Sequence, residues 1–183
     1  MQNLRLEVIK YAKMLNTKKL SALRSGNISV RYKDGFLITP SGAKYSSLKS
    51  KDIVFVSLKG EFDKKKVTPS SEWRFHQDIY KNKIEAKAIV HAHSSCATAI
   101  STHGKGIPAF HYMVAMAGGN DIKCSKYATY GTRELSQNIL KALRHRNACL
   151  IGNHGQIAYS ENLSKAFELA EEVENLSNQY IKA

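Results

Sequence analysis

Apolar residues recur along the chain at two periods, and the switches between them mark out a series of elements. Leu4, Val8, Ala12 and Leu15 return every three or four residues, which predicts an amphipathic first helix. Ile28, Val30 and Tyr32 instead alternate with polar residues. Asp34-Gly35 then supplies a tight turn, and Phe36–Thr39 reads as the returning strand of a hairpin. Another strand is expected at 53–57. Trp73, His76 and Tyr80 fall on one face of a helix that opens after Pro69 and two serines. "AKAIVHAH" (86–93) reads as a strand, and "SSCATAIST" as a short helix capped by Ser94. Leu135, Ile139 and Leu143 form the stripe of a helix with a basic last turn, the charge the helix dipole favours there. "ACLIGNHGQIAYS" gives a strand, a Gly-flanked turn and a strand. The last helix carries Ala166, Leu169, Val173, Leu176 and Tyr180, too few heptads for a coiled coil and therefore a core or oligomer face. Repeats and low-complexity linkers are absent, so residues 1–183 are expected to form a single α/β domain. Its hairpins imply a central, mainly antiparallel or mixed β-sheet flanked by helices.

Composition narrows this picture. No apolar run approaches the roughly 18 residues that span a bilayer, and the N-terminus lacks the apolar stretch of a signal peptide. No membrane association is expected. Cys96, Cys124 and Cys149 are odd in number and far apart, which suits a reducing cytoplasm better than a disulfide framework. The net charge is +13, from 28 basic and 15 acidic side chains. The basic residues are scattered, no nucleic-acid motif is present, and the aromatics do not interleave with them. A nucleic-acid partner is therefore not expected, whereas a basic surface suits an anionic small substrate.

The candidate chemistry begins at the end of one strand. His91 and His93 are two apart, so both rings point the same way, with Cβ atoms roughly 6.5–7 Å from each other. That span suits one metal ion, and equally two polar residues on a solvated strand face. His154 lies in a turn between Gly152 and Gly155, and Glu72 stands at a helix start, where an acid is also a plain capping residue. Three imidazoles and a carboxylate together make a complete set for Zn²⁺. Three further segments, "RSGN" (24–27), "TPSG" (39–42) and "TPSSE" (68–72), are small, hydroxyl-rich and bent. Such turns expose backbone N–H groups to anions, and three of them on a basic chain suggest a phosphate.

The motifs "GNISVRY", "GFLITPSG", "PSSEWRFH", "IVHAH", "IPAFHYMVAMAGGNDIKCSKYATYGTREL" and "NHGQIAYSENLSKAFELAEEVE", in that order, resemble the class II aldolases of sugar-phosphate metabolism from first helix to last. The resemblance implies the class II aldolase/adducin-like fold and one zinc ion per subunit, held by Glu72, His91, His93 and His154. It implies that Gly26, Asn27, Ser41, Gly42, Ser70 and Ser71 hold the substrate phosphate. It also implies that Glu72 doubles as acid/base, and that Tyr112 reaches a neighbouring subunit's site as proton donor in a homotetramer. The expected reaction is reversible cleavage of a ketose 1-phosphate, with L-fuculose 1-phosphate the best-fitting substrate, to dihydroxyacetone phosphate and an aldehyde.

Two features depart from the family pattern. Family enzymes continue past the last helix into a tail with a second tyrosine, where this sequence stops at Ala183, and Arg24 replaces a small hydroxyl residue beside the phosphate loop. Three alternatives share the fold: a methylthioribulose-1-phosphate dehydratase, an aldolase for another deoxyketose 1-phosphate, and a scaffold without catalysis. Retention of all four ligands argues against the last.

Overall fold

In the computed structural model, which describes residues 1–183, the two periods become five helices and seven strands. The helices are α1 (Gln2–Thr17), α2 (Trp73–Asn82), α3 (Ser95–Ser101), α4 (Arg133–Ala142) and α5 (Leu163–Lys182). The strands are β1 (Asn27–Tyr32), β2 (Gly35–Ile38), β3 (Val54–Ser57), β4 (Ala88–Ala92), β5 (Cys124–Ser125), β6 (Ala148–Ile151) and β7 (Gly155–Ser160). They form one sheet in the order β3-β2-β1-β4-β7-β6-β5. Every pairing is antiparallel except β5 with β6, so the sheet is mixed, as the hairpins predict. No helix is long and apolar enough to cross a membrane.

Strand alternation sorts the core into two layers. Ile28, Val30, Ala88, Val90, Leu150 and Ala158 join the buried residues of α1, α3 and α5 on one face. Phe36, Ile38, Ile89, Cys149, Ile157 and Tyr159 join those of α2 and α4 on the other. His91, two residues beyond Ile89, shares the α2 face, and so do Asn27 and Ser29 by the same parity. The pairing registers place Asn27 opposite His91 and His91 opposite Ile157. The central strands thus carry polar groups to the edge of a dry layer.

Several details differ from the sequence pattern. Ser94 occupies the N-cap of α3, but its side chain makes no cap bond and accepts from Gln156 Nε2 at 2.7 Å. Glu174 of α5 satisfies the helix start instead, accepting from the N–H groups of Cys96 and Ala97 at 2.8 and 2.9 Å. Helix α4 closes at Ala142, so Arg144 and Arg146 lie beyond it, and His145 turns the chain with φ +59°. The buried stripe of α5 ends at Ser177, leaving Tyr180 37% exposed. Strand β5 has only two residues, too few for an alternation to register.

Candidate metal centre and substrate cavity

His91, the penultimate residue of β4, is fully buried, and His93 follows just past the strand end. The carbonyl of Gln156 on the neighbouring strand accepts a bond from His91 Nδ1 at 2.8 Å. The Nδ1–H tautomer this requires leaves the Nε2 lone pair free. His154 sits in the turn between β6 and β7, where its N–H donates to the Ile151 carbonyl at 3.0 Å and Asn153 takes φ +53°. Gly155 begins β7 so close to the Ala92 carbonyl that a side chain there would collide with it. The missing Cβ is what brings the His154 turn against His93.

Glu72 is the fourth member. It occupies the N-cap position of α2, yet its side chain makes no cap bond. The carboxylate points into the cluster, with Oε2 3.2 Å from His91 Nε2 and Oε1 3.1 Å from His154 Nε2. His93 Nε2 lies 2.9 Å from His91 Nε2 and 3.1 Å from His154 Nε2. One donor atom from each of the four residues falls within 4.8 Å of all the others. Burial opposes ionisation of Glu72, but the imidazoles of His91 and His154 outweigh it and hold the carboxyl well below the usual range. Burial, reinforced by His91 and His154, pushes the His93 imidazole down to about 3.

The residues fit a metal ion on chemical grounds. Glu72 Oε1 is buried and, though 3.1 Å from His154 Nε2, makes no well-formed hydrogen bond, a state a folded protein rarely tolerates. Three imidazole nitrogens converge on the same point, and a neutral His93 has no proton to spare for more than one neighbour. A divalent cation would satisfy all of these lone pairs at once, and three histidines with one carboxylate suit zinc.

Beside the cluster opens a cavity of about 400 Å³. Gly26, Asn27, Ser41, Gly42, Ser70 and Ser71 all line it, together with Glu72, His93 and His154. The backbone N–H groups of Gly26, Gly42 and Ser71 make no hydrogen bond within the chain, which leaves three donors for an anion. Gly26 needs to be glycine: its φ is +77°, and a Cβ would stand 2.6 Å from Ser21 Oγ and 2.7 Å from the His91 carbonyl. Arg24 also lines the cavity, and its Nη1 donates to the Gly42 carbonyl at 2.9 Å, tying the first bent segment to the second.

Asn27 has a further role that its position in "RSGN" does not reveal. Its Nδ2 donates to Glu72 Oε2 at 2.9 Å, and its Oδ1 meets His76 Nε2. His76, which the helical pattern gives only as a face residue of α2, is thereby joined to the cluster. Burial, with His91 adding to it, lowers the His76 imidazole to about 3. Tyr112 does not line the main cavity. It is 81% exposed and borders a separate hollow with Phe110, His111 and Gly119. Tyr127 and Tyr130, to which the sequence pattern assigned no role, stand at the main cavity and are 59% and 66% exposed.

Comparison with known proteins places this constellation in a family. The model of the class II aldolase and adducin N-terminal domain matches residues 6–181. A 5-methylthioribulose-1-phosphate/5-deoxyribulose-1-phosphate aldolase of Rhodospirillum rubrum is 49% identical over 177 residues, covering 97% of this chain and 80% of the relative. An L-fuculose phosphate aldolase of Escherichia coli is 50% identical over 157 residues, covering 86% of this chain and 73% of the relative. A solved L-fuculose 1-phosphate aldolase superimposes with a TM-score of 0.95 at 40% identity, covering 98% of this chain and 85% of the other. The chain belongs to the class II aldolases and is an aldehyde-lyase of that family. Neither water elimination nor a purely structural role is the reading these relatives support.

Proposed function

We propose that the enzyme is a zinc-dependent aldolase that reversibly cleaves a ketose 1-phosphate between C3 and C4, giving dihydroxyacetone phosphate and an aldehyde. The observation that carries this reading is the adjacency of a four-donor metal set to three unused N–H groups in one cavity. Glu72, His91, His93 and His154 would hold the ion. When bound, it supplies the Lewis acidity that stabilises the electron pair left on C3 as the C3–C4 bond breaks.

The protein's own groups supply the rest. Gly26, Gly42 and Ser71 donate N–H groups to the phosphate, Ser41 and Ser70 add hydroxyls, and Asn27 steadies Glu72 from behind. Arg24 and the +13 net charge draw the dianion in. In the cleavage direction, Glu72 accepts the proton of the C4 hydroxyl as the new aldehyde carbonyl forms. Tyr112, brought from a neighbouring subunit of a homotetramer, donates the proton that C3 takes up as dihydroxyacetone phosphate forms. The three free cysteines suit a reducing cytoplasm.

L-fuculose 1-phosphate, which releases L-lactaldehyde, is the first candidate substrate. A 5-deoxyribulose 1-phosphate is the second, because the relative named for that compound matches more of this chain, 97% against 86%. The deciding experiment measures dihydroxyacetone phosphate release from a panel of ketose 1-phosphates and the matching free ketoses, with and without chelator. The phosphorylated compounds should be strongly preferred, since each charge-assisted bond to the phosphate is worth about 1.5–3 kcal/mol. Activity should vanish on chelation and return with Zn²⁺. Equal efficiency on free ketose and 1-phosphate, or full activity after thorough chelation, would overturn the reading.

A further inference from the structure

A buried chain of hydrogen bonds runs from the metal cluster into the core, and its direction is fixed from one end. Glu72, as a carboxylate, can only accept, so Asn27 must present Nδ2 to Glu72 Oε2, as it does at 2.9 Å. Asn27 Oδ1 is then an acceptor facing His76 Nε2, and that nitrogen must carry its proton. With the ring proton on Nε2, Nδ1 is a bare lone pair and accepts from the Ser29 hydroxyl at 2.7 Å. Ser29 has spent its proton, so its oxygen accepts from the Tyr80 hydroxyl at 2.8 Å. Ser29 and His76 are fully buried, and Tyr80 is 1% exposed. These three groups therefore lie out of reach of solvent, behind Asn27 and Glu72 at the cavity wall.

We propose that His76 is a positioning residue of the metal centre, which fixes the Asn27 amide so that it holds and orients the Glu72 carboxylate. The proposal rests on Glu72 serving at that centre as described above. Three structural facts make the relay rigid. Full burial keeps the ring neutral, and the bond to Asn27 Oδ1 places its one proton on Nε2. The ring lies 4.9 Å from that of Phe75 and 6.4 Å from that of Phe36, stacked with both, which prevents a flip. Tyr80 is itself clamped, with the Arg31 guanidinium 4.8 Å from its ring and bonded to its carbonyl at 2.7 Å. A second layer of this kind is usually worth 10–100-fold in metal affinity or activity.

The test combines a spectroscopic and a kinetic readout on the full chain. Nitrogen-15 NMR of the imidazoles should find His76 neutral with its proton on Nε2, in both the zinc-loaded and the zinc-free protein. H76L should lower kcat and the affinity for zinc, measured by titration with the metal, each by about 10–100-fold, with KM little changed. H76Q restores an N–H toward Asn27 and an acceptor toward Ser29, and should recover most of both losses. The proposal is overturned if His76 is found protonated on Nδ1 or on both nitrogens. It is also overturned if H76L and H76Q keep full kcat and zinc affinity while only lowering the melting temperature. Should H76L fail to fold, the tautomer and H76Q still decide. E72Q serves as the control: an active E72Q defeats Glu72 as acid/base and leaves it a ligand, whereas an impaired E72Q beside an unimpaired H76L defeats the relay alone.

Discussion

Glu72 stands where a helix would welcome an acid for its dipole alone, yet its carboxylate turns away from the helix start and lies against two imidazoles and an amide. Burial of a charge at this point is tolerable only because those partners compensate it, and the proposed cation would add to them. Glu72→Gln keeps the size and one coordinating oxygen but cannot accept a proton. We expect retained zinc with a rate lower by about 10²–10⁴, as checked by metal analysis and steady-state kinetics. An unimpaired variant would reduce Glu72 to a ligand. Spacing and flanking residues made the four donors candidates, with a solvated strand face and a helix cap equally open, and the resemblance to the class II aldolases joined them into one set, which the structure brings together. His76 was not legible. Its partners Ser29 and Asn27 are 47 and 49 residues away, and no periodicity reports a contact of that range.

The elements explain why these residues meet. Strand β1 lies between β2 and β4, which brings Asn27 opposite His91 and sets Ser29 toward α2. The β1–β2 and β6–β7 hairpins are legible because a short turn and alternation fix them locally. The insertion of β4 between β1 and β7 is not, since nothing local encodes which distant edges pair. The same limit holds at α3. Ser94 reads as its cap from local pattern, whereas Glu174, some eighty residues on, does the work across the α3–α5 contact. Helix α3 has only seven residues and follows directly on His93, so its start matters for the metal site. Glu174→Ala removes two accepted N–H bonds and should cost about 1–2 kcal/mol. For a chain of this size that lowers the melting temperature by roughly 2–8 °C. An unchanged melting curve would show that water replaces the carboxylate without loss.

The whole molecule places its chemistry at an open edge. The two apolar layers end at the strand termini, the metal donors gather there, and the cavity beside them is walled by bent loops and by exposed Tyr127 and Tyr130. Within one chain, no phenol from the 112–117 turn enters that cavity, since Tyr112 borders a different hollow. A tyrosine 81% exposed beside Phe110 and Val114 is poorly placed for a monomer, and the proposed homotetramer would give it a neighbouring copy's site to enter. The reaction needs an acid for the carbon or oxygen left behind, and a phenol with a pKa near 10 is a fit donor to a strongly basic oxyanion. Tyr112→Phe removes only the hydroxyl and retains the ring that an interface would bury. If the hydroxyl donates the proton, kcat falls by about 10²–10⁴ while KM, zinc content and the sedimentation coefficient stay as they are. If Tyr112 merely seals an interface, the variant instead dissociates, and activity falls only in step with the loss of assembled enzyme. Kinetics and sedimentation on the same preparation therefore separate a proton donor supplied in trans from an interface side chain.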